Sequence, residues 1–186
     1  RKYLAVRLAL LTVELSILFF AILAAISHGA SHKGLSALVI SSALALIVAG
    51  PILHAFRKVP YKIVMSVCVL LSALSGLSLV VNHYTRWVDI TLIHAATLFL
   101  VTVAMVGASA ARSLYYLDTA PKNQRVKGLA VSKSLIKSIS VVIAIPMAAI
   151  AHMQHVTWAI LIVSFLNVVA VACILTVLRK PAVAVD

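Results

Sequence analysis

Six apolar blocks of spanning length follow one another along the chain, at about residues 4–27, 34–56, 61–81, 88–111, 128–151 and 156–178. Hydrophobic runs near 20 residues are long enough to cross a bilayer as helices. In hydrocarbon each unpaired backbone amide costs several kcal/mol, so a run of this kind satisfies its own backbone by coiling into an α-helix. The pattern predicts an all-α membrane protein, a single six-helix transmembrane domain over residues 1–186. Most connections are short, but residues 112–127 form a polar stretch that divides the chain three helices plus three. Gly50-Pro51 and Pro146 fall late in the second and fifth blocks. Matching prolines either mark two inverted three-helix repeats with bent helices at corresponding places, or each bends an ordinary membrane helix.

Composition agrees with this pattern: 63% of the 186 residues are hydrophobic and 11% charged. A water-soluble domain needs more polar surface than that. The formal net charge of +12 raises nucleic acid as a partner until the charges are located. One set of connections holds Arg1, Lys2, Arg57, Lys58, Lys62, Arg112, Lys122, Arg125, Lys127, Arg179 and Lys180, the other only Lys33 and Arg86. The positive-inside rule then puts both termini in the cytoplasm. Trp87 and Trp158 fall at the outer face and Tyr61, Tyr115 and Tyr116 at the inner one, as amphipathic rings prefer. A basic inner face meets anionic lipid, so the bilayer is the expected partner and nucleic acid is not. The expected location is the bacterial cytoplasmic (inner) membrane. Arg1 stands where a complete chain would start with Met, which predicts a beginning inside a longer protein.

The inner connections resemble those of a six-helix half of a major facilitator superfamily transporter. The first reads Gly50-Pro51-Ile52-Leu53-His54-Ala55-Phe56-Arg57-Lys58-Val59-Pro60-Tyr61-Lys62, with Arg57 or His54 where that family carries an acid. The second, from Arg112 through Asp118 and Pro121 to Arg125, is similar to the Arg, Asp, Pro and Arg pattern of its exporters. Ile145-Pro146-Met147-Ala148-Ala149 resembles the fifth-helix signature without its leading Gly. The resemblance implies the N-terminal half of an exporter working by alternating access, with Gly50, Arg57, Lys58, Lys62, Arg112, Asp118, Pro121 and Arg125 in the moving connections and a bend at Pro146. It implies as partner a second six-helix half, either a missing C-terminal half or another copy, and as cargo a small amphipathic molecule. The rival expectation is a non-transporting six-helix subunit of a larger membrane complex.

Glu14 is the carboxylate in the middle of a span, and Lys137 enters the fifth block to a similar depth. An ion in hydrocarbon costs roughly 2.5 to 3.5 kcal/mol on insertion scales, so opposite charges at one depth are expected to pair. The pair is either a site of proton coupling or substrate contact, or a static brace between helices. Lys133 lies one turn from Lys137 and, being shallower, is expected to snorkel. Arg7 shares the face of Glu14 and reads as an interfacial anchor. Asp89 fits the first turn of the fourth helix, where its charge suits the helix N-terminus. Six histidines gather at the outer side, and the His28 to His32 and His152 to His155 spacings each present two imidazoles, as metal ligands, as pH sensors or as plain interfacial groups. Cys68 and Cys173 sit inside apolar blocks as small buried side chains. No phosphate loop, nucleophile with base or metal-binding cysteine set occurs, so neither an enzyme nor a cofactor is expected.

Overall fold

The computed structural model describes residues 2–28, 32–56, 58–120 and 125–178. The chain is all-α: α1 (Lys2–His28), α2 (His32–Ala55), α3 (Tyr61–Thr85), α4 (Ile90–Thr119), α5 (Arg125–Gln154) and α6 (Val156–Val177). All six are long and apolar enough to cross a membrane. Burial agrees. Large apolar side chains such as Ile26, Val39, Ile47, Val142, Ile145 and Phe165 are exposed along the shafts. A continuous apolar exterior of this kind suits lipid as the solvent and not water.

The interior follows membrane rules, in which small residues and hydroxyls let helices approach closely because lipid supplies no hydrophobic drive between them. α3 and α1 are the most enclosed helices. α4 packs on α1, α2 and α3, while α6 packs on α1, α3 and α5. Gly76 marks the tightest crossing, since a Cβ there would run into Ser164 of α6 and Phe20 of α1. Beside it the Asn167 amide donates to Ser16 Oγ at 2.9 Å and Ser72 Oγ at 3.2 Å, joining α6, α1 and α3 in the closed core. Gly107 brings α4 against α3, a Cβ there falling 2.7 Å from Cys68 Sγ.

The two ends of the bundle differ. At one end Tyr3, Tyr61, Tyr115 and Tyr116 form an aromatic cluster, with Tyr3 and Tyr116 centred 4.6 Å apart. At the other, the α3–α4 turn is pinned by Asn82, whose amide donates to Val88 O and accepts from Val88 N. Asp89 then caps α4, its Oδ1 accepting from the amides of Thr91 and Leu92. We refer to these as the tyrosine end and the histidine end.

Both sides of the expected 112–127 connection are helical. α4 continues to Thr119 and α5 begins at Arg125. The extension has a buried face, Ala111, Tyr115 and Tyr116, which packs on the aromatic cluster and repays the coiling of an otherwise polar stretch. Prolines do not interrupt either helix that holds one: α2 runs through Pro51 and α5 through Pro146.

Candidate functional site

Glu14 lies near the midpoint of the 27-residue α1. Its Oε1 is 3.1 Å from Nη1 of Arg112, the one ion pair among the described residues. α1 and α4 run antiparallel, and side chains lean toward the N-terminus of their own helix. Glu14 therefore leans toward the tyrosine end while Arg112 leans away from it, and the two meet. Arg112 also donates to Ser109 Oγ, one turn back, at 3.2 Å.

The pair lies on an open seam. Glu14, Met105, Val106, Ser109, Ala110 and Ser113 line a groove of about 400 Å³ along α1 and α4. Glu14 keeps 45% of its side chain exposed there against 15% for Arg112. The volume is in the range of small-molecule sites.

The expected pairing of Glu14 with Lys137 is replaced by this one. The reason is rotation rather than depth. α5 reaches α1 through Ile136, which packs on Leu11 and Leu15. At about 100° per residue, that stripe is centred roughly a quarter turn around α1 from Glu14, and Lys137 is turned about 100° away from Ile136. Lys137 and Lys133 are both exposed. Arg7 is no interfacial anchor: it is buried between α1 and α5, and its Nη1 donates to Ser132 Oγ at 2.6 Å.

The connection candidates divide. Arg125 opens α5 and closes α4, its Nη2 donating to Leu117 O at 2.6 Å and its Nε to Ala120 O at 3.1 Å. Tyr116 donates in turn to Arg125 O at 2.6 Å. Asp118 is exposed on the last turn of α4, beside Tyr61 of α3. Lys58 is exposed in the α2–α3 turn and Lys62 half-buried in the first turn of α3. Gly50 faces open space, with nothing within 4 Å of a Cβ placed on it. Pro146 is exposed on α5. Arg57 and Pro121, with Arg1, Lys122, Arg179 and Lys180, lie outside the described residues, as do the side chains of Lys2, His32, Lys33 and Lys127.

Two features escaped the sequence reasoning. Asn167 clamps three helices, and its signal was an amide in mid-span. The histidines assemble across helices instead of along them: His28 meets His94 edge-on with ring centres 5.4 Å apart. Nothing in the spacing of His94 along the chain names His28 as its neighbour.

Comparison of the chain with known protein families, curated proteins and solved structures finds no match.

Proposed function

We propose that the chain is one six-helix half of a secondary active transporter that moves a small amphipathic molecule by alternating access. The observation that carries this reading is the Glu14–Arg112 pair at mid-membrane depth in an open groove. A brace that served packing alone would be sealed, because exposing charge to lipid costs energy on every face left open. A groove wall carrying an accessible carboxylate beside a cation suits a wet cavity completed by another protein surface. Glu14 is then the group that exchanges a proton or contacts the substrate, and Arg112 the cation it pairs with between events.

Packing supports two three-helix repeats. Exchanging each helix for the one three further along turns the α3–α4 contact into α6–α1 and the α2–α4 contact into α5–α1, while α1–α4 and α3–α6 map onto themselves. The α5–α6 and α1–α3 contacts have no comparable counterpart in α2–α3 and α4–α6, so the support comes from the helices around the α1/α4 seam. Such exchange is expected of inverted repeats around a central seam. Lys58, Lys62 and Arg125 cluster toward the tyrosine end and Arg86 stands at the other, which supports both termini in the cytoplasm. The membrane is then a bacterial inner membrane, and a second six-helix half faces the α1/α4 seam. The resemblance of the connections to a major facilitator half supports the same arrangement.

The test is uptake of an amphipathic fluorescent dye into proteoliposomes under a proton gradient. Glu14→Gln and Arg112→Leu are each expected to cut flux at least tenfold while Lys137→Ala leaves it unchanged. Flux that survives both substitutions removes the site. Absence of flux under any gradient, with stable co-purification in a larger membrane assembly, transfers the chain to the rival class of structural subunit.

A further inference from the structure

At the histidine end, α1, α3 and α4 enclose a cavity of about 180 Å³ lined by Ser27, Asn82, His83, Arg86 and His94 over Leu79. His94 is 95% buried by its 5% exposure, and its Nδ1 has no hydrogen-bond partner. Leaving a buried polar nitrogen unpaired costs on the order of 1 to 3 kcal/mol. His28 stands edge-on against the His94 ring, with ring centres 5.4 Å apart. His28 is itself wedged onto α2, where a Cβ at Gly34 would come within 2.7 Å of its Nδ1.

The charge of the lining decides what completes the site. Arg86 brings a permanent cation and has no ion-pair partner, since the one pair among the described residues is Glu14–Arg112. Its backbone is held by the left-handed turn that ends α3, with φ 52° and its amide donating to Asn82 O. The nearest acid along the chain, Asp89, is engaged on the α4 amides, and no carboxylate lines the cavity. A metal cation placed here would lie beside the guanidinium with no anionic ligand to offset the repulsion. An anion gains a charge-assisted hydrogen bond from Arg86 and a further donor from each imidazole N–H. The Asn82 amide is already committed to Val88, leaving Arg86, His83, His94 and the Ser27 hydroxyl as donors. At about 30 Å³ per water, the cavity holds a ligand the size of roughly six waters, which fits one oxyanion.

We propose that this cavity binds an oxyanion of phosphate type through Arg86, His83 and His94, either a free ion or the phosphate of a lipid headgroup. The site lies at the opposite end of α4 from Arg112, and the proposal stands whether or not the chain transports.

The full chain is placed in nanodiscs of neutral phosphatidylcholine and titrated with inorganic phosphate by equilibrium dialysis, and native mass spectrometry in mixed lipid scores retained phosphatidylglycerol. Saturable phosphate binding that Arg86→Gln weakens at least tenfold and His94→Gln several-fold supports the free ion. Selective retention of phosphatidylglycerol, lost in Arg86→Gln, supports the headgroup. Arg86 is exposed, so its variant keeps the test decisive where replacement of buried His94 impairs folding. Binding of both probes that is absent, or equal in wild type and Arg86→Gln, overturns the proposal, and so does preferential binding of Zn²⁺ that phosphate does not displace.

Discussion

Two polar regions share helix α1 only two residues apart. Ser16 points into the closed core, where Asn167 and Ser72 complete a neutral three-helix clamp. Glu14 points about 200° away around the helix, to the α1/α4 groove, where it meets Arg112. The clamp is sealed by close helix contact at Gly76 and the groove is walled on one side only. α1 thus separates these two groups by face: the uncharged hydrogen bonds of Ser16 lie where neighbours bury them, and the Glu14 carboxylate lies where the protein wall is unfinished. The contrast predicts that substitutions in the clamp change stability alone, and that flux is lost only by substitutions in the groove.

Gly76→Val breaks the clamp side hardest. The new side chain would drive Ser164 and Phe20 apart, and overpacking of this kind costs about 1 to 3 kcal/mol, occasionally more. Thermal unfolding of the detergent-solubilised chain is expected to fall accordingly. Gly50→Ala is the control. With nothing near the added Cβ, it is expected to stabilise α2 by up to about 1 kcal/mol through helix propensity. Equal destabilisation by both glycine changes would refute the close approach assigned to Gly76.

On the groove side, a double-mutant cycle separates a brace from a working pair. Glu14→Gln alone leaves Arg112 without its carboxylate and Arg112→Gln alone leaves Glu14 without its cation, so each single variant is expected to lose stability as well as flux. The double variant removes both charges and is expected to recover stability toward wild type while flux stays down at least tenfold. Recovery of both together would make the pair structural.

A smaller effect is expected inside the clamp. Asn167→Ala removes two interhelical hydrogen bonds, and membrane double-mutant cycles put such bonds at about 0.6 kcal/mol on average and 1.7 at most. Unfolding of the variant by sodium dodecyl sulfate should shift by about 1.2 kcal/mol, twice the single-bond average, with dye flux unchanged in the population that remains folded. Lost flux at full stability would show that the two faces of α1 are coupled rather than separate.

How much of this was legible in the sequence depends on which force set each feature. The six helices were legible because the bilayer imposes length and apolarity locally, block by block. The end of α4 was not, because Arg112 and Ser113 read as polar loop while the compensating burial of Tyr115 and Tyr116 comes from Tyr3 and Tyr61, far away in the chain. Depth was legible for Glu14, since rise per residue is constant. Its partner was not: rotation about α1 and the choice between α4 and α5 as neighbour are tertiary facts. Lys137 has the right depth on a helix that meets a different stripe of α1. The buried Arg7 follows the same logic, for only the position of α5 puts Ser132 within its reach.

The mildest prediction concerns the α4–α5 joint, where a charged residue works as a cap and not as part of the groove. The last carbonyls of a helix lack intrahelical donors and carry the negative end of its dipole. Arg125 covers two of them, Leu117 O and Ala120 O, while Tyr116 ties the start of α5 back onto α4. Gly128 permits that approach, since a Cβ there would lie 2.7 Å from Tyr116 Oη. Arg125→Ala should therefore loosen the last turn of α4 by about 0.3 to 1 kcal/mol, the usual range for a cation at a helix C-terminus. Amide exchange over Tyr116–Ala120 is the measurement, and a several-fold acceleration is expected there with the rest of α4 unaffected. Arg125→Lys keeps the charge but not the fork that spans two acceptors, so its exchange should fall between wild type and Arg125→Ala. If lysine protects as fully as arginine, the dipole alone holds the joint. If alanine protects as well, the joint is held by Tyr116 and the aromatic cluster, and Tyr116→Phe becomes the substitution that opens it.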